Sequence, residues 1–167
     1  MATITLKGNP IHTIGNLPAV GGKAPDFKLV AGDLSEVTLA AYAGKTVILN
    51  IVPSLDTGIC QLSAKAFNAR AGEIAGVVVV NVSMDLPFAQ KRFCESEKLS
   101  HISNLSGFRS PGFGKDYGIS IVDGPLAGLY GRAVVVVNPQ GLVVHAQQVP
   151  EIAQEPDYDA VLQAVQG

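Results

Sequence analysis

Two stretches of the chain are almost continuously apolar and β-branched, Thr46–Val52 (TVILNIV) and Val77–Ser83 (VVVVNVS). Such runs predict central parallel strands covered on both faces. Between them, ICQLSAKAFNARAGEIAG (residues 59–76) carries good helix formers and ends on Gly76 as a stop. Strand, helix, strand is a βαβ unit, expected to cross over right-handedly. A second helix is expected over PFAQKRFCESEKL, with Pro87 in the first turn behind Asp85. RAVVVVNPQGLVVHAQQV predicts two antiparallel strands around Asn138-Pro139-Gln140-Gly141. The last helix is expected from about Asp157 to Gln166, with Glu155, Pro156 and Asp157 at its start.

Before this frame, Ile4 and Leu6, then Ile11 to Ile14, flank Gly8-Asn9-Pro10 and predict a β-hairpin over residues 1–15. GGKAPDFKLV and EVTLAAYAGK read as loop and short extended segments. Residues 100–129, rich in Gly and Ser, are expected to mix one strand, a short helix and loops. The order βαβ, helix, ββ, helix is that of the thioredoxin fold, an α/β class, here with an added N-terminal β-hairpin. Without a repeat, low-complexity tract or linker, residues 1–167 are expected to form a single domain.

Composition narrows the function. Apolar residues make up 47% and charged residues 16%, and twelve basic against fourteen acidic residues leave a net charge of −2. With no run of like charge and no Trp, nucleic acid is not an expected partner. The opening MATITLKGNPIHTIG lacks the basic-then-apolar pattern of a secretory leader, and no stretch approaches the ~18 apolar residues of a membrane span. The expected location is cytoplasmic, with no membrane partner. In that reducing compartment Cys60 and Cys94 are either apolar filler or redox chemistry, not a permanent staple.

Familiar motifs fail. AGKT at 43–46 lacks the upstream glycine of a phosphate loop and leads into a strand. The glycines of GFGKDYG are misspaced for a dinucleotide fingerprint. His12, His101 and His145 are scattered, no Cys/His pair has metal-ligand spacing, and there is no C-x-x-C.

PSLDTGIC, Pro53 to Cys60, joins the first apolar strand to the first helix. Asp56 or Thr57 can cap that helix, and with Thr57 as cap Cys60 takes the third helical position. A thiolate there meets free N–H groups and the positive end of the helix dipole, at the strand end where open α/β sheets place ligands. The dipole contributes about 0.3–1 kcal/mol and at most about 2, so full ionisation needs a nearby cation. Arg132, immediately before AVVVV, is the candidate; the alternative is a solvated charge flanking the strand. Cys60 could equally be a buried apolar cysteine. Cys94, among charged neighbours in KRFCESEK, is expected near the surface, as an incidental thiol or as the partner of an oxidised Cys60. A disulfide needs Cα atoms within about 7 Å, so the second option requires local unwinding.

The pattern P-x-x-x-T-x-x-C, here Pro53, Thr57 and Cys60, resembles that of the peroxiredoxins. DTGIC, DLPFAQKRFC, DGPLAGL, RAVVVV and EPDY, with the N-terminal hairpin, resemble the bacterial thiol peroxidase subfamily, atypical two-cysteine peroxiredoxins, over essentially the whole chain. The resemblance implies a thiol-dependent peroxidase acting on hydrogen peroxide and organic hydroperoxides. It implies that Cys60 is the peroxidatic cysteine, oxidised to a sulfenic acid, and Cys94 the resolving cysteine that closes an intramolecular disulfide. Thr57 would hydrogen-bond the peroxide, Arg132 would stabilise the thiolate and the departing oxygen, and Pro53 would shield the sulfur. It further implies thioredoxin as reductant, a homodimer, and no metal, haem, flavin or other cofactor. A redox sensor on the same fold, switching a partner through the Cys60–Cys94 pair, is the alternative.

Overall fold

The computed structural model describes residues 1–72 and 74–166. β1 (Thr3–Leu6) and β2 (Asn9–His12) form a separate antiparallel hairpin. Its turn is at Lys7-Gly8, not at Gly8-Asn9-Pro10. Both turn residues have positive φ, 50° and 82°, as a two-residue hairpin turn requires, and Pro10 lies in β2 opposite Thr5.

β3 (Lys28–Ala31), β4 (Glu36–Thr38), β5 (Thr46–Ile51), β6 (Val77–Ser83), β7 (Ile102–Ser106), β8 (Ala133–Val137) and β9 (Val143–Gln148) form one sheet in the order β4-β3-β7-β6-β5-β8-β9. β5, β6 and β7 are parallel neighbours, and β8 is antiparallel to β5. The apolar runs are therefore the central strands. β6 has the expected bounds, and β5 stops one residue short of Val52.

Four helices accompany the sheet among the described residues: α1 (Gly58–Arg70), α2 (Pro87–Glu97), α3 (Pro111–Asp116) and α4 (Tyr158–Gln166). α1 ends at Arg70, earlier than expected. Gly76 is instead a positive-φ residue (78°) at the entry to β6. Residues 100–129 resolve into β7, α3 and loops, as expected; LAAY of the EVTLAAYAGK segment is a 3-10 turn rather than extended.

Alternation divides the core. Leu49 and Ile51 of β5, Val80 and Val82 of β6 and Val135 of β8 pack with Phe27, Phe113 and Tyr117. Ile48, Val79, Val134 and Val136 point the other way and pack with Phe67 of α1 and Val161 of α4. Burying each of these side chains contributes roughly 1.5–3 kcal/mol. A smaller cluster of Val52, Leu55, Cys60, Ala64 and Phe93 closes the end of the sheet between α1 and α2.

Candidate active site

The loop leaving β5 is held by a carboxylate just beyond the end of β6. Asp85 accepts hydrogen bonds from Ser54 Oγ (2.8 Å), the Leu55 amide (2.8 Å) and Ser83 Oγ (2.7 Å). Sequence reasoning placed Asp85 only as a flank of α2. The structure makes it the clamp that fixes the path of the chain into α1. Thr57 is the N-cap residue, with extended backbone, but among the described residues no side chain caps the helix. The side chain is instead turned back onto its own loop, its hydroxyl donating to the Ser54 carbonyl (3.1 Å). The first-turn amides are left without a side-chain acceptor. Cys60 is the third residue of α1, as expected, and has no exposed surface.

Arg132 is not a solvated flank. It is 1% exposed, its Nε donates to the Ile152 carbonyl (2.9 Å), and its Nη1 has no partner among the described residues. A guanidinium buried with an unused donor is costly unless an anion or strong acceptor completes it. It lines a cavity of about 620 Å³ together with Pro53 and Thr57, under an apolar rim that includes Leu6, Leu126, Leu129 and Ile152. The structure thus brings Pro53, Thr57 and Arg132 to one space; Cys60 does not line it, although its chain neighbours Ile59 and Gln61 do.

The N-terminal hairpin belongs to this site. The Thr5 amide donates to Pro150 (2.7 Å), the Ile152 amide donates to Thr5 (2.9 Å), and the Gly8 amide donates to Glu151 Oε1 (2.9 Å). β1 therefore holds the segment whose carbonyl holds Arg132, while Leu6 forms part of the wall. Nothing in the local sequence of the hairpin signals this, because the link is made by backbone groups.

Cys94 lies across the same apolar cluster, packed against the group that contains Cys60, and both are free thiols. Despite its charged neighbours it is half-buried rather than superficial. Burial holds its thiol above the ordinary cysteine range, opposed by the hydrogen bond that Asn104 Nδ2 donates to its sulfur (2.8 Å). A second cavity, about 490 Å³, is lined by Cys94, Asn104, Lys91, Glu95, Lys98 and Leu99 among others. Among the described residues no group of three or more His, Cys, Asp or Glu side chains could hold a metal ion.

The redoxin family profile matches residues 19–162. The chain belongs to the redoxin family. This redoxin is 52% identical over 165 residues to the thiol peroxidases of Mycobacterium bovis and Mycobacterium tuberculosis, covering 99% of each chain. That similarity puts it among the thiol peroxidases of the peroxiredoxin group. It superposes on a peroxiredoxin-like protein from Aquifex aeolicus with a TM-score of 0.93 at 42% identity, covering 99% of this chain and 96% of that one. A thiol peroxidase from Chromobacterium violaceum matches with a TM-score of 0.92 at 20% identity over the same shares, which supports the thioredoxin-like fold alone.

Proposed function

We propose that this peroxiredoxin reduces hydrogen peroxide and organic hydroperoxides through Cys60, and that Cys94 resolves the oxidised intermediate. The Cys60 thiolate attacks the terminal oxygen of the hydroperoxide. The S–O bond forms as the O–O bond breaks, and the departing oxygen takes a proton to leave as water or an alcohol. Cys60 is left as a sulfenic acid. The Cys94 thiolate then attacks that sulfur, hydroxide leaves as water, and a Cys60–Cys94 disulfide forms. A thioredoxin dithiol returns both cysteines to thiols by exchange.

The observation that carries this reading is the Nη1 of the buried Arg132, without a partner among the described residues, in the cavity lined by Thr57, Pro53 and the chain neighbours of Cys60. The guanidinium supplies a preorganised donor for the thiolate and the departing oxygen. The Thr57 hydroxyl spends its proton on Ser54, so its oxygen is available to accept from the peroxide O–H. Pro53, itself buried, closes the wall beside the sulfur. The apolar rim suits the alkyl group of an organic hydroperoxide. In this reading the first turn of α1 moves to admit the peroxide to the wholly buried Cys60 and to let its sulfur reach Cys94. The same reading has residues 1–167 working as one domain with the hairpin included, as a homodimer, in the cytoplasm, with no bound cofactor. Among the described residues no helix is long and apolar enough to cross a membrane.

The test is peroxide consumption coupled to thioredoxin. Cys60→Ser is expected to abolish consumption. Cys94→Ser is expected to consume about one equivalent per chain and stall as a sulfenic acid. Wild type that sustains no turnover with a thioredoxin system contradicts the enzyme reading and leaves the redox sensor.

A further inference from the structure

Three asparagines stand side by side across the middle of the sheet. Asn50 of β5 is in register with Asn81 of β6, and Asn81 with Asn104 of β7. Asn50 and Asn81 follow Ile48 and Val79 by two residues, so they share the face that α1 covers. Their amides run head to tail. Asn50 Nδ2 donates to Asn81 Oδ1 (2.9 Å), Asn81 Nδ2 to Asn104 Oδ1 (3.1 Å), and Asn104 Nδ2 to Cys94 Sγ (2.8 Å). The other end of the row reaches the helix of Cys60. Asn50 Nδ2 also donates to Ser63 Oγ (3.3 Å), and that hydroxyl donates to the Cys60 carbonyl (3.0 Å).

Stability does not account for the row. Asn50 and Asn81 are fully buried, and Asn50 Oδ1 has no partner among the described residues. Valine at these positions would avoid the desolvation of the amides. The common direction of the donors suggests the purpose. An amide whose oxygen accepts a hydrogen bond becomes a stronger donor at its nitrogen, so an aligned row strengthens its last member. Asn104 Nδ2 ends the row on two acceptors, the Cys94 sulfur and, at 3.4 Å, the Gln90 carbonyl; only the sulfur can gain charge, and an anionic sulfur accepts more strongly than a thiol.

We propose that Asn50, Asn81 and Asn104 form a polarised amide relay that makes Asn104 a positioning residue for Cys94, orienting its sulfur and favouring the thiolate for attack on the oxidised Cys60. The role in that attack rests on the peroxidase reading above; the effect on Cys94 itself does not. The charged groups sharing the cavity with Cys94 are Lys91, Glu95 and Lys98. From α1 the nearby groups are Cys60 and Lys65, the latter paired with Glu97 at 2.8 Å.

The experiment follows iodoacetamide alkylation of Cys94 against pH, by intact mass, in a Cys60→Ser background. Burial raises the midpoint and Asn104 opposes it, so Asn104→Leu moves the midpoint further up. For each tenfold loss of thiolate the more basic sulfur regains part of its reactivity, leaving alkylation about threefold slower at fixed pH. Asn81→Leu, which keeps Asn104 but breaks the relay behind it, moves the profile the same way by less. Variants that melt lower but keep the wild-type profile overturn the proposal. Should Asn104→Leu not fold, the unsubstituted protein decides. The side-chain NH₂ resonances of Asn104 are expected to titrate with Cys94 and those of Asn81 to follow with smaller amplitude; an Asn104 signal flat through the Cys94 midpoint overturns the relay. With peroxide, Asn104→Leu is expected to accumulate more Cys60 sulfinic acid, because the sulfenic acid waits longer for resolution. A wild type that consumes no peroxide removes the peroxidase reading, while the alkylation profile still decides the relay.

Discussion

The two sulfurs occupy opposite kinds of surroundings within one apolar cluster. Cys60 is fully buried at the start of a helix, and Thr57 and Arg132 line a cavity together with its chain neighbours Ile59 and Gln61. Cys94 is half-buried in the body of a helix, receives a side-chain hydrogen bond directly, and lines a cavity of its own. The first arrangement leaves an Arg132 donor unspent among the described residues; the second spends its donor on the sulfur. Attack on a peroxide needs stabilisation of a departing oxygen, and attack on a neighbouring sulfur needs mainly a placed thiolate. Under the proposed cycle, the difference between the two sites matches the difference between those two steps.

Arg132→Met tests the contrast most strongly. Removing this buried guanidinium is expected to slow the reaction with peroxide by about 100-fold or more, read as a second-order rate by competition. Because a buried, partly unpartnered charge is replaced by an apolar side chain of similar length, thermal stability is expected to hold or rise. An equal loss of stability would assign Arg132 to the fold instead. Asp85→Ala removes the clamp on the Cys60 side and is expected to cost about 3 kcal/mol, or roughly 10 °C in melting temperature. Faster hydrogen exchange at the Leu55 amide is the local signature. Thr57→Val is expected to lower the peroxide rate by about tenfold with little change in stability, since the hydroxyl is exposed and bonds only to Ser54 among the described residues.

The smallest effect is a pH dependence of the hairpin. Backbone hydrogen bonds from Gly8 and Ala153 hold the Glu151 carboxyl below its ordinary range. A lowered folded value means that the contribution is complete above the ordinary carboxylate range and is lost as pH falls through the lowered one. Exchange of the Gly8 amide, corrected for its intrinsic pH dependence, is expected to rise across that acid window. A Gly8 amide insensitive to it would separate the hairpin tip from the segment that carries the Arg132 anchor.

Much of the frame was legible because apolar runs and periodicity report burial directly. TVILNIV and VVVVNVS are the two central strands, and residues 100–129 hold the strand and short helix expected of them. The placement of Cys60 followed from strand, breaker and cap residue in order. The Lys7-Gly8 turn was missed because Gly-Asn-Pro looks like stronger punctuation, although Pro10 fits an edge strand. The Thr57 side chain does not cap because it is turned back toward the Ser54 carbonyl, a rotamer choice that propensity does not specify. The burial of Arg132 depends on a carbonyl twenty residues on, which itself depends on β1. No local pattern encodes such a chain. The asparagine row did leave a signal: each of the two most apolar strings carries one asparagine at its fifth position. Matching positions in adjacent parallel strands mark Asn50 and Asn81 as a pair.

The central claim is that one chain carries both halves of the cycle, Cys60 attacking the peroxide and Cys94 closing on it. The most direct measurement is a single turnover of fully reduced protein with one equivalent of peroxide, quenched and read by intact and peptide mass. The account predicts monomers lighter by two hydrogens, with a peptide that joins Cys60 to Cys94. Oxygen added first to Cys94, or disulfides that link separate chains, would contradict it.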